Sequence, residues 1–275
     1  MCAETRMHGV VEGKRRRLYQ ILTYSNQYGT ASDWSPEAWM FINRGPTGLL
    51  AFDTPIYEHD TPTFTVAVAD PDGDSMNVQV ESSYNGGAYV NLIQWSGVPS
   101  GEPKAFSHGP LARGTYTFRL TVNDGNGGSY QQTYVFYALP LGLAGRVSHT
   151  PEWESYRQLW NSRFPLQPRG SDMFWAGEAF VLAADVTDTG TSSTKPLAVT
   201  ATLLATGESV DLTGDSFLVL YEGMLLNTEH PYTLAQGSQT FRFNVQWSNG
   251  LHLTYDVPIR IEGSVFDVIV NQIRH

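Results

Sequence analysis

Two short acidic segments hold the residues whose types and spacing could bind a metal ion. An Asp-Pro-Asp-Gly-Asp run supplies Asp70, Asp72 and Asp74, and an Asp-Gly-Asn-Gly-Gly run begins at Asp124. Calcium takes about six to eight oxygen ligands from carboxylates, carbonyls and water, which such segments offer. The spacing lacks the final glutamate of an EF-hand loop, so that motif is excluded. Asp-Pro-Asp-Gly is also a strong turn sequence without any metal, and both interpretations stay open.

No arrangement of residues indicates catalysis. The glutamates that could form a hydrolytic carboxylate pair, Glu178 among them, stand in no recognisable pattern. The chain has no Gly-x-Ser-x-Gly nucleophile elbow, and its single cysteine, Cys2, lies near the N-terminus. The seven histidines show neither His-x-His nor His-Glu-x-x-His spacing. We therefore expect a protein that is not an enzyme.

The seven tryptophans suggest a second possible function, carbohydrate binding. Trp175 stands before a predicted strand and Trp247 at the tip of a predicted hairpin, so these two are the candidates for an exposed glycan platform. The alternative is that both pack in a core, because large aromatic side chains dominate core packing.

Composition restricts the partners and the location. The net charge of −10 over 275 residues disfavours nucleic-acid binding, which depends mainly on Lys and Arg meeting phosphates. No run of about 18 apolar residues is present, so we expect no membrane insertion. Residues 1–20 carry charges where the apolar region of a signal peptide would lie. We expect a piece of a longer exported protein, located at the cell surface or outside the cell.

Period-two alternation indicates the strands that must position these residues. Apolar and polar residues alternate over residues 66–80, 114–123 and 130–137, between Asp-, Gly- and Asn-rich turns. The clearest hairpin is predicted at 240–257, with Asn249 and Gly250 at its tip.

One segment has a helical pattern. Thr150 can cap a helix that starts at Pro151. Its aromatic stripe is either packed or a sugar platform; the stripe consists of Trp153, Tyr156, Trp160 and Phe164.

The central segment resembles the PKD-like and cadherin-like immunoglobulin-fold repeats of bacterial surface proteins. The residues that carry the resemblance are 69–75, 114–118 and 122–129. In an immunoglobulin-type sandwich the loops B–C and F–G lie at the same pole. The resemblance therefore implies that Asp70, Asp72 and Asp74 converge with Asp124 as candidate calcium ligands. Further upstream, residues 24–29 and 32–35 resemble the last two strands of a fibronectin type III domain.

These observations predict an all-β protein with two tandem immunoglobulin-like β-sandwiches, a short linker helix and an N-terminal β-hairpin remnant. We expect the fibronectin-like hairpin and a disordered N-terminus in residues 1–45, and the first sandwich in 46–140. A linker with the helix is expected in 141–170, and the second sandwich in 171–275. The expected function is a non-catalytic spacer or adhesion scaffold that joins other modules of a longer chain. The alternatives are a carbohydrate-binding module that recognises a surface or environmental glycan, and a fibre segment.

Overall fold

The computed structural model shows strands joined by turns and one helix within the residues that it describes. These are residues 43–176, 178, 181–212 and 236–263, together with 16–19, 38–41, 180 and 220–225, for which only the strands are described. The chain divides into two compact units. The first comprises residues 1–53, 62–108 and 114–137, and the second comprises 54–61, 109–113 and 138–275.

The helix, α1, spans Pro151–Arg163. The strands in chain order are β1 (Arg16–Tyr19), β2 (Ala38–Phe41), β3 (Thr47–Ala51), β4 (Ile56–Tyr57), β5 (Thr63–Ala69), β6 (Met76–Tyr84), β7 (Val90–Val98), β8 (Lys104–Ser107), β9 (Gly114–Asn123), β10 (Ser129–Leu139), β11 (Leu143–His149), β12 (Met173–Trp175), β13 (Phe180–Val186), β14 (Pro196–Leu203), β15 (Ser209–Asp211), β16 (Leu220–Leu225), β17 (Gly237–Trp247) and β18 (His252–Glu262).

The N-terminal hairpin is confirmed at the level of its strands, because β1 and β2 pair antiparallel. The residues that carry the fibronectin type III resemblance, at 24–29 and 32–35, lie outside the described residues. So does residue range 1–15, which falls within the N-terminus that we expected to be disordered.

The first unit is a β-sandwich. One sheet has the order β3-β5-β8, and strands β10, β9, β6 and β7 follow one another in the other. Every second residue of β9 is buried, as the alternation predicted, which places Phe118 and Leu120 in the core. Phe64 of β5 meets Phe118 across the sandwich with the ring centroids 4.7 Å apart. This aromatic core joins the two sheets, since large rings bury the most apolar area.

The second unit is also a β-sandwich, so the predicted all-β fold with two sandwiches is confirmed. Its sheets have the orders β11-β13-β16 and β12-β18-β17-β14-β15. The predicted hairpin is confirmed in β17 and β18, which pair antiparallel along their length. Gly250 at its tip has a φ of 87°, a left-handed conformation that suits glycine in a tight hairpin turn.

Strand β11 lies in the segment that we predicted to be a linker. It pairs antiparallel with β13, from Leu143 opposite Val186 to His149 opposite Phe180. The alternation was hard to recognise because Gly145 and His149 occupy two of its inward positions. Gly145 is required there, since a Cβ atom on it would overlap the ring of Phe243 in the facing sheet. The prediction of a linker is therefore wrong for residues 143–149.

Helix α1 begins as the sequence predicts. The Thr150 hydroxyl accepts a hydrogen bond from the Trp153 backbone N–H at 3.5 Å, and Pro151 occupies the first turn. The rings of Trp153 and Trp160 pack against Trp175, whereas Tyr156 is 60% exposed. The aromatic stripe is thus only partly packed. Among the described residues, no helix has the length and hydropathy needed to cross a membrane.

The substitution Gly145→Ala should destabilise the second unit by about 1–3 kcal/mol, because the added methyl group must displace the Phe243 ring. Gly45→Ala is the control, since a Cβ there meets only Ser129 O at an ordinary 3.9 Å. Denaturant unfolding followed by tryptophan fluorescence measures both. The close approach of β11 to β17 would be contradicted if the two variants were equally stable.

Candidate metal centre

Three segments of the first unit meet at one end of its sandwich, which we call the loop pole. They are residues 43–46, which lead into β3, residues 70–75 between β5 and β6, and residues 124–128 between β9 and β10. Hydrogen bonds join them: Asn43 Nδ2 donates to Asp124 Oδ2 at 2.5 Å, and Asn126 Nδ2 donates to Asp74 Oδ2 at 3.0 Å. The two acidic segments of the sequence therefore come together.

Asp70 organises the first acidic loop from inside it. The residue is only 5% exposed, and its Oδ1 accepts hydrogen bonds from the backbone N–H groups of Asp72 and Asp74 at 2.8 and 3.1 Å. Its own backbone N–H donates to Ser100 Oγ at 3.0 Å. An aspartate that accepts from the backbone two residues on forms an Asx turn, which is what this turn sequence favours. The other oxygen, Oδ2, is buried without a hydrogen-bond partner among the described residues.

Asp124 organises the second loop in the same way. Its Oδ1 accepts from the backbone N–H groups of Asn126 and Gly128 at 2.7 and 2.9 Å, and the residue is 4% exposed. A Cβ atom on Gly128 would overlap the Asp124 carboxylate. Glycine at position 128 therefore provides the space that the carboxylate occupies. Both loops thus satisfy their backbone donors with a buried carboxylate, and both bring its negative charge to the loop pole.

One carboxylate oxygen from each of Asp70, Asp74 and Asp124 lies within 4.8 Å of the others. Like charges at this separation repel one another, and the repulsion grows with burial because the effective dielectric falls. Hydrogen bonds from the backbone and from Asn43 and Asn126 offset part of that repulsion. A bound cation would offset the remainder.

Asp72 does not join this group. The Asp72 carboxylate is bound by Arg44: Arg44 N donates to Oδ2 at 2.8 Å, while Nε and Nη2 donate to Oδ1 at 3.0 and 2.8 Å. A two-pronged guanidinium contact neutralises a buried carboxylate effectively. Of the four predicted metal ligands, the structure therefore brings together Asp70, Asp74 and Asp124, and it assigns Asp72 to an ion pair.

Asn43 and Arg44 are participants that the sequence did not indicate. They stand in a turn-rich segment about 30 to 80 residues before their partners, and only the folded topology brings them to the loop pole. No local spacing could have identified them.

The prediction that Trp175 and Trp247 form an exposed glycan platform is wrong, because both side chains are buried, at 3% and 0% exposure. Trp247 continues the inward row of β17 that contains Phe243 and Val245, so it lies in the core of the second unit. Trp175 packs against α1, and the guanidinium of Arg169 lies 3.7 Å from the centre of its ring.

Glu178, which is a hydrolytic candidate by residue type alone, is held by hydrogen bonds inside the second unit. The residue is fully buried, and its Oε1 is hydrogen-bonded to His149 Nδ1. Its Oε2 accepts the backbone N–H of Trp175 at 3.0 Å. These contacts satisfy both oxygens of a buried carboxylate, and they join β11 to the segment after β12.

Residues 43–136 match the bacterial Ig domain family. The resemblance of the central segment to immunoglobulin-like repeats is therefore confirmed. This segment contains all three aspartates of the cluster. The match includes strands β3 and β5–β9 of the first unit, and of the second unit it includes only residues 54–61 and 109–113.

Several solved structures are similar to the chain. A PKD domain of an M14-like peptidase from a Thermoplasmatales archaeon is 23% identical and covers 36% of this chain and 99% of that one, with a TM-score of 0.30. A tetra-tandem repeat from the extending region of a large adhesion protein is 16% identical over 89% of this chain and 56% of that one, with a TM-score of 0.29. A marsupial T cell receptor is 9% identical over 88% and 72%, with a TM-score of 0.32. No curated protein matches in sequence.

The substitution Asp70→Ala should destabilise the first unit in the presence of a chelator by about 1–3 kcal/mol, because it leaves the backbone N–H groups of Asp72 and Asp74 without their acceptor. Asp70→Asn should cost less, since its amide oxygen can still accept both bonds. Asp53→Ala is the exposed control in the same unit. Urea unfolding measures all three, and an Asp70→Ala variant as stable as the control would refute the role of Asp70 in shaping the loop.

Proposed function

We propose that this chain is a non-catalytic, immunoglobulin-like spacer or scaffold segment of a bacterial surface or secreted protein, and that calcium bound at the loop pole stiffens its first unit. One observation carries the calcium assignment. Three carboxylates gather within 4.8 Å of one another, and the buried Oδ2 of Asp70 has no hydrogen-bond partner among the described residues.

The donor set fits calcium. All three groups are hard oxygen donors, which Ca²⁺ prefers, with oxygen distances of about 2.3–2.6 Å. Two ligands on opposite sides of such an ion lie about 4.6–5.2 Å apart, so oxygens within 4.8 Å of one another can belong to one coordination sphere. Asn43 Oδ1 is a further buried oxygen without a partner among the described residues, and the same side chain contacts Asp124. Water would complete the shell.

The benefit of the ion would be mechanical. Asp70 and Asp74 belong to the loop between β5 and β6, and Asp124 belongs to the loop between β9 and β10. Shared coordination would hold these two loops together and neutralise their charge, which narrows the movements open to this end of the sandwich. A spacer benefits from such stiffness, because it must hold the modules on either side of it in position.

The remaining features are compatible with a structural role. Residues 43–136 match bacterial Ig domains, which are typical of surface proteins, and this supports a location at the cell surface or outside the cell. The partners would be neighbouring modules of an exported protein. The net charge of −10 argues against nucleic acid as a partner.

Calcium should raise the unfolding temperature of the first unit relative to protein in chelator. At a calcium concentration of about 100 Kd, selective binding to the folded state adds about 2.7 kcal/mol. The shift should disappear in the double variant Asp74→Asn/Asp124→Asn. The Asp72→Asn variant is the matched control: it weakens the Arg44 ion pair and lowers the baseline stability, but it should keep the calcium shift. An unchanged unfolding temperature in the wild type at millimolar calcium would overturn the calcium assignment.

A further inference from the structure

The chain contains three Asn-Gly pairs, at Asn85, Asn126 and Asn249. Asn-Gly is the dipeptide in which asparagine most readily deamidates, because glycine has no Cβ to obstruct its own backbone nitrogen. The structure restrains Asn249 at both reacting groups, whereas Asn85 and Asn126 are exposed and each makes one side-chain hydrogen bond. We propose that Asn126-Gly127, in the loop pole, is a site of spontaneous deamidation that adds a fourth carboxylate beside Asp70, Asp74 and Asp124.

The reaction needs no enzyme and no other reactant than water. The backbone nitrogen of Gly127 attacks Cγ of Asn126 and forms a new N–C bond. The bond from Cγ to the side-chain nitrogen breaks, and ammonia leaves with the proton that the Gly127 nitrogen loses. Water then opens the five-membered succinimide at either carbonyl, which gives aspartate or isoaspartate at position 126. The net change is one amide and one water converted to one carboxylic acid and one ammonia, and at neutral pH the acid is ionised.

At Asn249, hydrogen bonds restrain both reacting groups, the side-chain amide and the backbone nitrogen of Gly250. Its Nδ2 donates to Glu58 O at 2.9 Å and to Asp60 Oδ1 at 2.7 Å, and its Oδ1 accepts from the Leu251 backbone N–H at 3.1 Å. The attacking nitrogen of Gly250 donates to Trp247 O at 3.0 Å. Attack would require most of these bonds to break together.

Asn85 is held by its side chain. Its Oδ1 accepts from the backbone N–H of Thr115 at 2.9 Å, and its own backbone N–H donates to Thr115 O at 2.8 Å. These two bonds fix the residue to the neighbouring strand β9. The carbon that would be attacked therefore cannot turn toward Gly86 without loss of the Oδ1 contact.

Asn126 is less restrained than Asn249, and its restraints resemble those of Asn85. Its side chain makes one hydrogen bond, from Nδ2 to Asp74 Oδ2 at 3.0 Å, its backbone N–H donates to Asp124 Oδ1 at 2.7 Å, and the residue is exposed. Within the described residues, no hydrogen bond is found for the N–H of Gly127. A Cβ at Gly127 would meet no atom within 4 Å, so this part of the loop has open space for the rotation that attack requires.

Deamidation of Asn126 would replace an attractive contact with Asp74 by a repulsive one. Before the reaction, the Asn126 amide donates to Asp74 Oδ2; afterwards, a carboxylate at position 126 faces the same carboxylate and cannot donate when ionised. Without a cation, the protein loses this hydrogen bond and the two carboxylates repel each other. With a cation bound, the new carboxylate offers it another oxygen ligand nearby. The second consequence rests on the proposed calcium site, while deamidation itself does not.

Peptide mapping by mass spectrometry tests the site directly. The purified chain is incubated with a chelator at mildly alkaline pH, and conversion is followed at all three asparagines, with the denatured chain as a reference for intrinsic rates. Conversion at Asn126 should be at least several-fold faster than at Asn249 in the folded protein, and isoaspartate should accompany it. Equal or faster conversion at Asn249, or an Asn126 that stays intact while the denatured chain reacts, would overturn the proposal.

The variant Asn126→Asp tests the consequence separately. It should unfold at a lower temperature than the wild type in chelator and bind calcium several-fold more tightly. The control Asn85→Asp adds the same charge away from the cluster and should leave calcium affinity unchanged. If calcium does not bind at all, the second result is lost while the mapping result stands, so the failure of the calcium assignment and the failure of the deamidation site can be told apart.

Discussion

The loop pole depends on two buried carboxylates that accept hydrogen bonds from the backbone. Asp70 and Asp124 each bind two N–H groups of the loop that follows them, and each is about 95% buried. Without these acceptors, the turns would leave backbone donors unsatisfied away from water, which costs more than a typical hydrogen bond contributes. The architecture of two sharp loops at one end of a sandwich therefore concentrates negative charge at that end.

This concentration of charge links the two proposals. Arg44 neutralises Asp72, and side-chain amides from Asn43 and Asn126 donate to Asp124 and Asp74. The oxygens of Asp70, Asp74 and Asp124 nevertheless remain within 4.8 Å of one another. A divalent cation would relieve the repulsion that remains, and deamidation of Asn126 would increase it. Under both proposals, the same local balance of charge and hydrogen bonding would set the affinity for a cation and the effect of deamidation.

Sequence patterns predicted the strands well where apolar residues alternate strictly, as in β9 and in the hairpin of β17 and β18. They failed for β11, because Gly145 and His149 interrupt the apolar row for reasons that only the facing sheet explains. Trp247 was misjudged because its place near a turn suggested exposure, whereas its register continues the inward row of β17.

The candidate centre was predictable only in part. The meeting of the Asp70 loop with the Asp124 loop followed from the immunoglobulin-fold resemblance, since that topology puts both loops at one pole. The separation of Asp72 from the group was not predictable, because it depends on the distant Arg44. The roles of Asn43 and Ser100 depend on the same kind of long-range contact, which leaves no local signature in the sequence.

Isothermal titration of calcium into the metal-free protein tests the central claim most directly. The account predicts a single saturable site per chain in the wild type, and no saturable binding in the variant Asp74→Asn/Asp124→Asn. Binding that persists unchanged in that variant would place the ion elsewhere, and the absence of binding at millimolar calcium would reduce the three aspartates to residues that shape the turns.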